Sequence, residues 1–286
     1  MSPAALSAAA APPRRLPSLA DAVRWEIAKL AAQLRSRAAL LLCLVAPIAV
    51  VAIVNGQQRP PKDTLFGRYV HDSGYAMPLL ILGFATQWVL PLLTAVVAGD
   101  IFASEDHHGT WKTVLTRSAS RGQVFWAKVV TAALFAVAVL VVLAASTIVS
   151  GVLVVGHQPL VGLTGQLIPS GEALRLVAAA WATALAPMLG FTCLAILLSV
   201  TTRNPAFGIA APVVIGLAMQ LAGSLGGVEG LRPLLLTTPF ESWHGLLTET
   251  RFLGPLWWGL ATCAGWSAVC LAAAHRSMTR RDISGG

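Results

Sequence analysis

Six stretches of the chain are long, apolar and free of Asp, Glu, Lys and Arg: residues 38–54, 77–98, 129–155, 176–199, 206–226 and 254–274. A helix needs about 20 mostly apolar residues, each adding about 1.5 Å, to cross a hydrocarbon layer about 30 Å thick. Water is absent from that layer, so a crossing segment must satisfy its own backbone hydrogen bonds, as a helix does. The composition agrees, with 56% hydrophobic and 11% charged residues among 286, where soluble domains carry about 25% charged residues. So few charges cannot clothe a soluble globule, and so apolar a chain is not disordered. The expectation is an all-α membrane protein with six transmembrane helices.

An even number of crossings puts both termini on one side, and the distribution of cations says which. The 20 Lys and Arg flank the apolar runs rather than forming a nucleic-acid patch. With the N-terminus inside, Arg14, Arg15, Arg24, Lys29, Arg35, Arg37, Lys112, Arg117, Arg121, Lys128, Arg203, Arg276, Arg280 and Arg281 face the cytoplasm. Only Arg59, Lys62, Arg68, Arg175, Arg232 and Arg251 remain outside. Both termini are therefore expected in the cytoplasm, with residues 38–275 forming the transmembrane domain and 276–286 a short cytoplasmic tail.

Residues 1–17, rich in Ala and Pro, read as a flexible tail. The pair Arg14-Arg15 is followed by a polar, Pro-containing stretch rather than an apolar run, so no cleavable signal is expected. Over 18–37, Leu19, Val23, Ile27, Leu30 and Leu34 recur every three or four positions. Ser18 is placed to cap this amphipathic helix. With Trp25 and several cations just before the first crossing, it is expected in the inner membrane interface. The competing reading is a plain extension of the first crossing.

The six apolar cores lack the ionisable side chains by which ion-coupled carriers bind their coupling ion. Ser150 and His157 lie at the outer end of the third crossing, the wrong depth for a shielded protease site. No Gly-rich phosphate loop followed by Lys and Ser or Thr is present. Uphill movement would need energy from another chain, and the protein itself is not expected to be an enzyme. Cys43, Cys193, Cys263 and Cys270 all fall in apolar runs, where a thiol behaves as a small hydrophobe.

The informative connection is 99–128, cytoplasmic by the charge count. Ser104 is placed to cap a short helix with Glu105 and Asp106 in its first turn. Gly109 permits a sharp turn. Thr110 is placed to cap a second short helix with Trp111, Val114 and Leu115 on one side, and Ser120 to cap the third crossing. Such an elbow, tied to two crossings, suits the transmission of a push from a soluble partner.

The set Glu105, Gly109-Thr110, Leu115, Ser120-Arg121 and Lys128, together with Trp25-Glu26 and Lys29 before the first crossing, resembles the coupling region of type-2 ATP-binding-cassette exporter permeases. The resemblance covers the whole six-crossing layout. One departure is Ser118, which stands where related sequences often have Pro. The resemblance implies a permease subunit, working as a dimer of identical or related halves, that exports a substrate using a separate cytoplasmic ATPase present in two copies. ATP and Mg would bind that ATPase, not this chain. It further implies that Glu105, Gly109, Thr110, Trp111, Lys112, Leu115, Arg121 and Lys128 couple to the ATPase. The bare apolar cores favour an amphipathic substrate: a drug-like compound, lipid or hydrophobic peptide. A membrane scaffold or sensor that binds a partner without transport is the alternative.

His107 and His108 beside Glu105 and Asp106 lack ligand spacing, because neighbours on a helix point in different directions. Pro47, Pro78, Pro91, Pro187 and Pro212 are positioned to kink crossings. Residues 227–253 are too broken for a seventh crossing and read as short helices at the outer surface. In the resembled family a similar stretch re-enters the outer leaflet, which makes Phe240 and Trp243 candidates for an outer gate. Trp243, Trp257 and Trp258 also read as interface anchors.

Overall fold

The computed structural model describes residues 18–58, 61, 63–111, 120–225 and 229–280. The N-terminal tail 1–17, Arg59, Lys62, Lys112, Val114, Leu115, Arg117, Ser118 and the final 281–286 lie outside the described residues. The described residues are mostly helical, and among them six helices are long and apolar enough to cross a membrane. We number these spans one to six: Leu34–Gly56, Ala76–Ala98, Arg121–Val154, Ser170–Thr202, Pro205–Ser224 and Gly254–Thr279.

A separate leading helix, Leu19–Ala32, precedes span one. Ser18 Oγ accepts from the Asp21 N–H, and the Asp21 carboxylate accepts from the Ser18 N–H, a reciprocal cap. Sequence periodicity extends this helix to Arg37, but the backbone becomes extended at Gln33 and the last residues join span one. Side chains account for the break. Arg35 Nε and Nη2 donate to Gln33 Oε1 at 3.1 and 2.9 Å, and Arg37 Nε donates to the Ala31 carbonyl at 2.6 Å. The leading helix leaves Trp25, Ile27 and neighbouring Leu34 exposed while burying Glu26. Leu30 packs against the bundle core beside the inward charged side, while Leu19, Trp25 and Ile27 face away from it.

Backbone irregularities follow the prolines. Pro91 has no N–H to offer its preceding turn, and span two contains a π-helical segment at Ala85–Val89, closed by the Leu90 N–H on the Ala85 carbonyl. Span four divides at Ala184, three residues before Pro187, into Ser170–Thr183 and Leu185–Thr202. Pro47 and Pro212 sit inside uninterrupted helices. Span three begins at Ser120, whose Oγ accepts from the Gln123 N–H while Gln123 Oε1 accepts from the Ser120 N–H. Its 34 residues make it about 51 Å long, well beyond a hydrocarbon layer. The charged start of span three, including Lys128, therefore projects past the apolar zone.

Spans two, three and four form the inner part of the bundle, where the two hydrophobic clusters meet. Span four packs on spans five and six, and span one packs on span three. Spans one, five and six turn Leu41, Ile53, Val214, Leu221 and Val269 outward. All four cysteines are buried and free. At the end away from the leading helix, a short antiparallel hairpin pairs Leu160–Val161 with Leu167–Ile168. Beside it the broken stretch before span six forms two 3-10 helices, Arg232–Leu234 and Thr238–Leu246. Trp258 and Trp266 hold this stretch by donating their indole N–H groups to the Pro233 and Leu234 carbonyls. Phe240 and Trp243 are buried within it.

Candidate energy-coupling site

After span two the chain turns at Gly99 and forms a short helix, Ala103–His107. Sequence reasoning makes Ser104 its cap. The structure instead starts the helix two residues earlier and caps it from another span: Ser199 Oγ of span four accepts the Phe102 and Ala103 N–H groups at 3.3 and 3.0 Å. A hydroxyl supplied from a distant segment satisfies donors that the helix cannot satisfy itself. Ser104 turns its carbonyl to the His108 N–H, 3.0 Å away. Gly109 follows with φ +63°, a left-handed conformation open to glycine, which makes the sharp turn. The Thr110 N–H then returns to the Glu105 carbonyl at 3.0 Å.

Glu105 is buried and points into the bundle rather than outward. Its carboxylate is paired with Lys29 of the leading helix, accepts the Thr110 hydroxyl, and lies 3.1 Å from Lys128 Nζ of span three. Lys128 is fully buried, also lies 3.0 Å from Glu26, and sits over the Phe102 ring. A second pair, Arg35 of span one with Asp100, closes the same region. Buried charges persist only when paired and hydrogen-bonded. Here two lysines and two carboxylates share one cluster. Burial opposes ionisation of Glu105, but the Lys128 charge and the hydrogen bonds from Lys29 and Thr110 outweigh it and hold its pKa at about 2.

An aromatic layer backs the charges. Phe102 stands between Trp111 and Phe125, with ring centroids 6.4 and 5.6 Å away, and Phe125 meets His275 of span six at 5.1 Å. Arg121 Nη1 reaches the Thr279 carbonyl at 3.5 Å, tying the starts of span three and the end of span six together. Gly99 faces Gly208 of span five so closely that a Cβ on Gly99 would lie 2.2 Å from the Gly208 carbonyl oxygen.

The sequence-derived coupling residues thus divide by position. Glu105, Trp111 and Lys128 are buried and Thr110 is partly so, whereas His107, His108 and Gly109 form the exposed tip. Arg121 lies at the start of span three, beside the end of span six. Lys112 and Leu115 lie outside the described residues. Trp25, Glu26 and Lys29 are brought to the same place, with Lys29 over the exposed Trp25 ring. Phe240 and Trp243 are at the opposite end of the bundle and take no part in this cluster. Sequence reasoning assigned no role here to Arg35, Asp100 or Ser199. Asp100 carries a signal, as the first acid after a long uncharged run; a lone Ser at the end of an apolar span carries none. Among the described residues, no group of three or more His, Cys, Asp and Glu is arranged to hold a metal ion.

The sequence profile described as ABC-2 family transporter protein matches residues 22–219. The chain belongs to this ABC-2 transporter family. No curated protein matches the chain. The match begins inside the leading helix and ends in span five, so every member of the charged cluster falls within it. ABC-2 family proteins are transport components of membranes rather than catalysts, and the family as such is partnered with an ATP-binding-cassette component. The broken stretch before span six, with Phe240 and Trp243, lies beyond the match.

Proposed function

We propose that this ABC-2 family member is the permease subunit of an ATP-binding-cassette exporter. It works as a homodimer in the bacterial cytoplasmic membrane, with both termini in the cytoplasm and two copies of a separate ATPase docked beneath it. ATP and Mg bind that ATPase. The substrate is amphipathic, because the spans offer long apolar faces and no intramembrane charge for a small polar solute. The observation that carries the reading is the buried Glu105 cluster behind an exposed tip. A tip held by a single flexible contact would yield to a push, whereas Glu105 is fixed by three donors at once.

In this reading the ATPase meets His107, His108 and Gly109. Closure of the ATPase pair displaces the tip, and the motion leaves it by four routes. Lys29 carries it to the leading helix, Lys128 to span three, Ser199 to span four, and the Gly99–Gly208 contact to span five. The cluster transmits force and performs no bond chemistry.

The test is affinity purification of the tagged protein in mild detergent, followed by mass spectrometry, for wild type and Gly109→Pro. Proline fixes φ near −65°, opposite in sign to the φ of +63° at Gly109, and so destroys the tip while leaving the cluster residues in place. A phosphate-loop ATPase that accompanies wild type and is depleted from the variant supports the reading. Absence of any such ATPase, under conditions that retain other membrane complexes, removes the energy source and favours a scaffold or sensor.

A further inference from the structure

At the end of the bundle away from the coupling site, a cavity of about 220 Å³ opens between span two, Gln220 of span five and the stretch before span six. Its mouth carries the exposed Leu65 and Phe84, and its depth is walled by the buried Phe240 and Trp243. Nearly half of the lining residues are polar, including Thr64, Thr86 and the side-chain amides of Gln87 and Gln220. Among the described residues that line it there is no Lys or Arg, and one carboxylate, Glu241. A concave site that sets aromatic and aliphatic walls beside convergent polar groups suits a small amphipathic molecule.

We propose that this cavity binds a monocationic amphipathic molecule, its cationic group against the Glu241 carboxylate and its apolar body along Trp243, Phe240 and the mouth. Aromatic faces attract cations as well as covering apolar surface. The Glu241 carboxylate is at present 2.9 Å from Arg232, and both side chains are about half exposed. Such an exposed pair contributes little. Arg232 does not line the cavity but an adjoining groove that shares Glu241 and His244, so a ligand cation can approach the carboxylate from the opposite side. Burial holds the His244 imidazole below its usual pKa despite the nearby Glu241 charge. Glu241, Phe240 and Trp243 lie beyond the segment matched by the ABC-2 profile, whereas the lining residues between Thr64 and Gln87 lie within it.

The inference deepens the exporter reading by naming the substrate class, and it is tested without the ATPase. Radiolabelled tetraphenylphosphonium is equilibrated with the purified full chain in detergent, with triphenylphosphine oxide, a similarly aromatic but neutral molecule, as a competitor. Saturable binding is expected, weakened about threefold by Glu241→Gln, since one half-exposed charge is removed. Arg232→Ala is expected to tighten binding about threefold by removing the competing cation, a gain that misfolding cannot mimic. Equal binding by wild type and Glu241→Gln, or displacement by triphenylphosphine oxide as effective as by unlabelled cation, overturns the proposal. Loss of binding while the ATPase still co-purifies overturns this specificity alone; binding without any ATPase leaves the site standing and removes the exporter.

Discussion

Replacing Glu105 by Gln keeps the shape of the side chain and removes its charge, leaving Lys128 with Glu26 alone and Lys29 without its acid. The lowering of its pKa from 4.5 to about 2 corresponds to about 3 kcal/mol at about 1.4 kcal/mol per unit. Lys29 is about a third exposed, so water screens part of the interaction, and roughly 2 kcal/mol is the better expectation. The sign follows from linkage. The folded protein binds its Glu105 proton only near pH 2, whereas the unfolded chain does so near 4.5, so the contribution is full above that value and is lost as pH falls toward 2. Thermal unfolding in detergent, followed by intrinsic fluorescence at one fixed scan rate, reads both effects. At pH 7 the Gln variant is expected to melt roughly 5 °C below wild type. Between pH 5 and 3 wild type is expected to lose stability more steeply than the variant, so that the two curves converge. Equal midpoints at pH 7, or parallel pH profiles, would refute the view that the cluster stabilises an ionised Glu105.

Ser199→Ala removes the hydroxyl that receives two backbone N–H groups and is expected to cost about 1 kcal/mol, with hydrogen exchange at Phe102 and Ala103 accelerated and that of span six unchanged. Gly208→Ala drives a Cβ to within 2.1 Å of the Gly99 carbonyl oxygen, whereas Gly265→Ala meets nothing within 4 Å; the first is expected to reduce folded yield sharply and the second to leave it intact, as measured by size-exclusion profile. Gly109→Ala forces an L side chain into the left-handed region and is expected to lower stability by about 1 kcal/mol, read as a shift in the same melting assay.

Much of the fold is legible because bilayer crossing is a one-dimensional property. Length and absence of charge mark a span whatever it packs against, so all six stretches seen in the sequence correspond to long apolar helices in the structure, with ends displaced by up to eight residues. Local caps are equally legible: Ser18 and Ser120 cap helices through side chains three residues away, within reach of any sequence reading. The Ser104 cap fails because its competitor is Ser199, 95 positions away along the chain, and a cap supplied across the bundle leaves no mark near the helix it serves. The break at Gln33 fails for a related reason, since helical periodicity does not register a guanidinium that captures a neighbouring amide oxygen.

For the candidate site, the sequence by itself determined the inventory: an acid at Glu105, cations at Lys29 and Lys128, a glycine turn, and a resemblance that groups them. Which of these are buried and which are exposed was decided only by the tertiary structure. Three distant segments place Glu26, Lys29, Glu105 and Lys128 in contact, and pairing then makes it favourable to bury all four away from water apart from the Lys29 stem. The exposed tip is left to His107, His108 and Gly109. Charge in a sequence marks a residue as ordinarily solvated, and only a structure that supplies the opposite charge at hydrogen-bond distance reverses that expectation.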